Sequence, residues 1–239
     1  MFEIESDEFS GRILSNRQIF FIPPNIGQML PNITEFSVTY CGLLALNNNA
    51  FEGMNELKLI NASWNKISEI ESKTFTHLKN LEILDLSHNF LRSFDFLIFK
   101  GLVKLEKLQL NHNNLSIIHS HTFSTLLNLS VLDLSFNTIK KLQVETFAKF
   151  NTIKEFYIND NQLETMSPEI IVHFAASNLI DLRNNQCIDR RYPDNFTMVQ
   201  LGIEVSGKVK HLWLSNSLLI KHKLTNSNLN KSKLFKNKI

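Results

Sequence analysis

His88 and His112, with Asp85 and Asp133 expected nearby on adjacent strands, are the residues whose types and spacing come closest to a reactive centre. Two imidazoles beside two carboxylates suit a Zn²⁺ ion or a proton-sensitive contact, because neutral imidazole ligates metals and titrates near physiological pH. Two ligands with no cysteine beside them make a weak metal site, so the expected outcome is two exposed histidines, with no metal and no other cofactor assigned. Catalysis lacks its parts: no Ser/His/Asp arrangement, H-E-x-x-H motif or Gly-rich phosphate loop occurs, and only 7 glycines are present among 239 residues. An enzyme is not expected.

The two histidines are 24 residues apart, and that spacing organises the chain. The pattern LxxLxLxxNxL reads at Leu81, Leu84, Leu86, Asn89 and Leu91, and again at Leu105, Leu108, Leu110, Asn113 and Leu115. It continues at Leu129, Leu132, Leu134, Asn137 and Ile139, then at Ile153, Phe156, Ile158, Asn161 and Leu163. Earlier copies lie at Leu57, Ile60, Ala62, Asn65 and Ile67 and at Ile33, Phe36, Val38, Cys41 and Leu43; a later one holds Ile180, Leu182, Asn185 and Cys187. Seven units in unbroken phase predict a stack of coils, each packing on its neighbours. Around Leu84-Asp85-Leu86 the period-2 rule predicts a short strand with leucines inward, and the stacked strands form a parallel sheet lining the inside of a curve. A second ladder, Phe51, Phe75, Phe99, Phe123 and Phe147 followed by Ile171, fills the returning side, so these rings are read as structural packing. The asparagine column Asn65, Asn89, Asn113, Asn137, Asn161 and Asn185 is read as structural too, since a buried amide can satisfy inward backbone groups on adjacent coils.

Outward positions are left for function. The residue inside each LxL gives the row Ser37, Asn61, Asp85, Gln109, Asp133, Tyr157 and Asp181. Immediately before the asparagine column stand Tyr40, Trp64, His88, His112 and Phe136, then Asp160 and Asn184. Rigid rings in a row suit protein recognition, although such a column also packs along itself. Tyr40, Trp64, His88, His112 and Phe136, with Asp85, Gln109, Asp133 and Tyr157, are the candidate partner-binding residues.

Charge and ends complete the reading. Eight of the 25 basic residues lie after Glu204, which leaves 17 against 23 acidic ones in residues 1–207 and argues against nucleic acid as a partner of the repeats. Cys41 and Cys187 are about six repeats apart, on the order of 29 Å at a strand spacing of about 4.8 Å, too far to bond each other. Residues 1–32 read as a degenerate N-terminal half-repeat or cap, 33–190 as the repeats and 208–239 as a basic low-complexity tail expected to be disordered. The apolar column Leu46, Ile70, Phe94, Ile118, Leu142 and Met166 ends at Arg190. No apolar run is long enough to span a bilayer, so a membrane is not expected as a partner. The start, Met1 to Glu8, has no secretory signal character.

With its unit length and phenylalanine ladder, the stretch of about 33 to 190 resembles the extracellular leucine-rich-repeat proteins of the typical 24-residue subfamily, found in Toll-type receptor ectodomains, neuronal guidance proteins and secreted insect immune proteins. The resemblance implies an α/β solenoid: a horseshoe with a parallel concave sheet and an irregular or short-helical convex side, binding a protein partner without chemistry. It implies secretion, with the missing signal attributed to a truncated start, and an immune or developmental role. A fragment of a membrane-receptor ectodomain and an intracellular scaffold are the alternatives. N-x-S/T sequons at Asn32, Asn61, Asn114, Asn128 and Asn195, and a further one at Asn230, point the same way as candidate glycosylation sites. Asn184 to Asp189 resembles the entry to a cysteine-bearing C-terminal cap, of which 191–207 would be a remnant. No second cysteine follows, and Ser206 stands near its place. Cys187 is then a thiol, or bonds another chain, or belongs to an incomplete sequence.

Overall fold

The computed structural model describes residues 16, 18–148, 152–166, 170, 173–174, 177–188 and 191–192. Seven strands, Glu35–Ser37, Leu59–Asn61, Ile83–Asp85, Lys107–Gln109, Val131–Asp133, Glu155–Tyr157 and Leu179–Asp181, form one parallel sheet in chain order. The register moves by one repeat at each step, so Phe36, Ile60, Leu84, Leu108, Leu132, Phe156 and Ile180 lie opposite one another. All are buried, and the flanking residues of each strand face the other way. This is the expected parallel-sheet solenoid.

The returning side is mostly turns. Helical structure among the described residues comprises Ile26–Met29, a 3-10 turn at Val144–Phe147 and further 3-10 positions at 170 and 173–174. Two parallel ladders not foreseen from the sequence join Ala45–Leu46 to Glu69–Ile70 and Lys141–Leu142 to Thr165–Met166. In each, the buried residue (Leu46, Ile70, Leu142 or Met166) follows a more exposed one, the two-residue alternation of a half-buried strand. Beneath them run Phe51, Phe75, Phe99, Phe123 and Phe147, all fully buried. Phe51 stacks on Phe75 with centroids 5.9 Å apart, and Phe99 on Phe123 at 6.0 Å. Burying each ring contributes about 1.5–3 kcal/mol.

The asparagine column bonds one coil to the next. Asn113 Oδ1 accepts the Leu91 N–H at 3.0 Å, and its Nδ2 donates to the carbonyls of Leu86 and Leu110 at 3.0 and 3.1 Å. Asn89, Asn137, Asn161 and Asn185 repeat the arrangement one unit away. Asn65 Oδ1 accepts two N–H groups, those of Cys41 and Leu43. Cys41 itself is buried, and its thiol donates to the Thr39 carbonyl at 3.3 Å.

At the front, the segment read as a degenerate half-repeat keeps the 24-residue phase. The Asn16 N–H donates to Thr39 O and the Ile19 N–H to Cys41 O, while Ile19, Ile22 and Ile26 join the core. Gly27 stands where the phenylalanine ladder would continue; a Cβ there would run into the Glu52 carbonyl oxygen of the next coil. At the back, Arg191–Tyr192 turns antiparallel onto Leu179–Asp181 and covers the last sheet edge, an element the lost phase at Arg190 did not foretell. Cys187 is half-buried and packs against the core. Residues 1–15, Ile171, Arg190, Asn195, Ser206 and the 208–239 tail lie outside the described residues.

Candidate functional site

The ring column begins with an unusual backbone. Tyr40, Trp64, His88, His112 and Phe136 have φ of 55°, 58°, 53°, 55° and 53°, in the left-handed region. For residues bearing a Cβ this costs roughly 1–2 kcal/mol each. The cost recurs because the chain must turn out of the strand at that point, and three bonds hold it there in the central coil. The His88 and Asn89 N–H groups donate to the Asn111 and His112 carbonyls, and Asn89 Nδ2 donates back to Ser87 O.

The rings then form one continuous stack. Centroids are 5.3 Å apart between Tyr40 and Trp64, 3.6 Å between Trp64 and His88, 4.1 Å between His88 and His112 and 4.2 Å between His112 and Phe136. All the planes lie within 14° of parallel. Tyr40, Trp64 and Phe136 nevertheless remain 54, 46 and 45% exposed. Packing and exposure coexist because neighbours cover the ring faces and leave the edges open. Beyond Phe136 the stack gives way to polar contacts, in which Asn159 and Asn184 donate to the two carboxylate oxygens of Asp160 at 2.7 Å.

This stacking also answers the metal question posed by His88 and His112. Imidazole lone pairs lie in the ring plane, so two rings 12° from parallel and 4.1 Å apart aim their nitrogens along parallel lines. They cannot converge on one ion at a bond length of about 2.0 Å. Among the described residues no group of three or more His, Cys, Asp or Glu side chains is assembled for a metal. Burial lowers the His88 pKa and the adjacent His112 lowers it further, against a smaller upward pull from Asp85.

Asp85, Gln109, Asp133 and Tyr157 share the concave face with Asn61, all half-buried. They are less free than a simple outward row. Asp133 Oδ1 accepts both the N–H and the hydroxyl of Ser135, at 2.9 and 2.6 Å, and Asp85 Oδ1 accepts the Ser87 N–H at 2.9 Å. The Tyr157 hydroxyl donates to Glu155 Oε2 at 2.8 Å. Asp181, placed in the same outward row, is buried and paired with Arg183 at 2.7 Å, so it is not part of an open surface. Burial pushes the Asp133 carboxyl above the ordinary range; the Ser135 bonds and His112 pull it down, and Asp85 adds to the rise.

Two further columns were missed, of which the first belongs to the surface. Leu59, Ile83, Lys107, Val131 and Glu155 lie two residues before the LxL row, half-buried on the same face, and the period-2 rule applied one step earlier finds them. Ser63, Ser87, Asn111, Ser135 and Asn159 lie two residues after it, and Ser63, Ser87, Ser135 and Asn159 are buried. Together the columns give an apolar strip, Leu59, Ile83 and Val131, interrupted by Lys107 and bordered by the acidic groups Asp85, Asp133, Glu155 and Asp160. Of the sequon asparagines, Asn32, Asn114 and Asn128 are exposed, and Asn61 is half-buried in a concave strand.

A sequence model of the leucine rich repeat family matches residues 31–91, 80–139 and 127–186. Among solved structures, the TLR13–ssRNA13 complex is similar at a TM-score of 0.67 and 27% identity, over 73% of this chain and 25% of that one. The APL1 leucine-rich repeat domain is similar in fold at a TM-score of 0.62 and 18% identity, over 66% of this chain and 41% of that one. The chain thus spans a quarter of the first and about two fifths of the second. No curated protein matches the sequence significantly. Among the described residues no helix is long and apolar enough to cross a membrane.

Proposed function

The chain belongs to the leucine-rich-repeat family, and on that premise we propose that it is a non-enzymatic recognition module that binds another protein through its concave face. The observation that carries this is the composite surface, in which an apolar strip runs beside a row of rings already held rigid by stacking. A partner then loses little to ordering these side chains. The stacked faces are occupied, so a partner meets positively polarised ring edges and the polar tips of Tyr40, Trp64, His88 and His112. Carbonyl groups of a polypeptide suit such a row.

Secretion and an immune or developmental role are supported by the likeness to TLR13 and by the sequons. A part of a receptor ectodomain is a variant of the same reading, supported by the likeness to TLR13 alone. The TLR13 structure holds a single-stranded RNA, which makes RNA the second reading. Asp85, Asp133, Glu155 and Asp160 oppose phosphate and favour protein.

The test is a binding screen against an array of purified extracellular domains. Val131→Arg combined with Phe136→Ala removes capture of whichever domain binds, while Lys100→Glu on the returning side retains it. Equal capture by both variants would overturn the concave face. Saturable binding of a single-stranded RNA at physiological salt, lost in the same double variant, would favour the second reading.

A further inference from the structure

Asn61 differs from the other described sequon asparagines in where the fold puts it. It ends the strand Leu59–Asn61, and in register it lies between Ser37 and Asp85. Its Oδ1 accepts the N–H and the hydroxyl of Ser63 at 3.0 and 2.7 Å. Among the described residues no hydrogen bond engages Nδ2, and that nitrogen is not among the buried unsatisfied atoms, so it reaches solvent. Asn128, on a turn, instead donates its Nδ2 to the Val103 carbonyl at 2.7 Å. The concave residues on the N-terminal side of Asn61 are Glu35, Ser37 and Thr39, with no apolar side chain among them, whereas the apolar groups Ile83 and Val131 lie on the other side, together with Lys107.

We propose that Asn61 carries an N-linked oligosaccharide that covers the N-terminal part of the concave face and so narrows the partner surface given above, withdrawing Tyr40, Trp64 and His88 and leaving protein recognition to the strands from Lys107–Gln109 onward. In the attachment step, Nδ2 bonds to C1 of an oligosaccharide carried on a polyprenyl diphosphate. The C1–O bond to the diphosphate breaks, the diphosphate leaves with the electron pair, and the amide gives up one proton to the medium. Nδ2 keeps one hydrogen, and Oδ1 keeps its role as acceptor for Ser63, so the folded strand accommodates the product. A glycan is bulky and strongly hydrated. Rooted in the sheet rather than on a turn, it stands over Ser37, Thr39 and the edge of Trp64, three residues further along the same coil. His112 and Phe136, at the far end of the ring stack, remain open. The proposal rests on the reading of the concave face as the binding face.

The whole chain, secreted from a eukaryotic cell behind an added signal and carrying Trp213→Phe, provides the test. Peptide mass mapping is expected to find the oligosaccharide on Asn61, with conversion to Asp after amidase treatment. Acrylamide quenching of Trp64 is expected to be weaker than in the Asn61→Asp variant, which keeps the acceptor for Ser63 as Asp133 does for Ser135. Ser63→Ala, which destroys the sequon and leaves the asparagine, is expected to restore quenching in the same way. An unmodified Asn61, whether or not the other sequons carry sugar, overturns the proposal, as does equal quenching in the modified protein and both variants. These readouts need no partner: a concave face that captures nothing leaves them unchanged, and a bare Asn61 leaves the capture experiment intact.

Discussion

Asp133 is held in place by Ser135 and opposed by its burial, and the two effects can be separated. The carboxylate needs one oxygen to accept the Ser135 N–H and hydroxyl, a task Asn61 performs for Ser63 with an uncharged amide at 3.0 and 2.7 Å. Asp133→Asn therefore keeps the turn and removes the buried charge. Because its pKa is raised in the folded state, Asp133 contributes stability only when protonated, below its unfolded pKa, and that contribution is lost as pH rises through the folded pKa. The variant is expected to unfold at a higher urea midpoint than the parent at about pH 7, with the difference disappearing by about pH 3. A parent as stable as the variant at neutral pH would show that the burial penalty is offset. His88 acts in the opposite sense: its lowered pKa means that stability present above the ordinary imidazole value is lost on acidification. None of this was legible in the sequence, which marked the two side chains as neighbours of the right type. It gave no sign of the parallel ring planes that spoil a metal site or of the Ser135 bonds that engage the carboxylate.

A single coil is held to its neighbours by its asparagine as well as by its strand. Three-residue strands supply few ladder bonds, while Asn113 alone joins Leu91, Leu86 and Leu110 across two coils. Asn113→Ala leaves those backbone groups without a partner in a dry interior. The expected cost is about 1–3 kcal/mol, read as a lower urea midpoint with an unchanged far-UV spectrum. An unchanged midpoint would mean that water or relaxed backbone replaces the amide. This column was legible because one residue type recurs at one phase with one duty. The left-handed backbone beside it was not. Tyr40, Trp64 and Phe136 are poor residues for positive φ, and a rule based on glycine or asparagine passes over them. Stacking along the column, worth about 0.5–1.5 kcal/mol for each pair, offsets the strain, and it exists only once neighbouring coils are aligned.

At the scale of the molecule, order in sequence is order in space: each parallel strand pairs with the one a repeat away, and among the described residues no strand pairing joins distant repeats. Phase alone was enough to read that architecture. The antiparallel strand Arg191–Tyr192 was hidden because it forms where the phase ends; the front coil was read only as a degenerate half-repeat, because Gly27, where the Glu52 carbonyl of the next coil approaches, replaces its phenylalanine. A linear arrangement makes cooperativity depend on position, since damage at the centre separates two flanks that each keep their own interfaces. Phe99 is the probe, fully buried between Phe94 and Phe123 with centroids 5.4 and 6.0 Å away. Phe99→Ala removes about 3–5 kcal/mol of packing. Its effect is expected to exceed a simple shift of the midpoint: the urea transition broadens, and amide protection falls first in residues 83–110 while the outer strands retain theirs. A single sharp transition with the parental slope would show that the repeats unfold as one unit, with interfaces strong enough to carry a central defect.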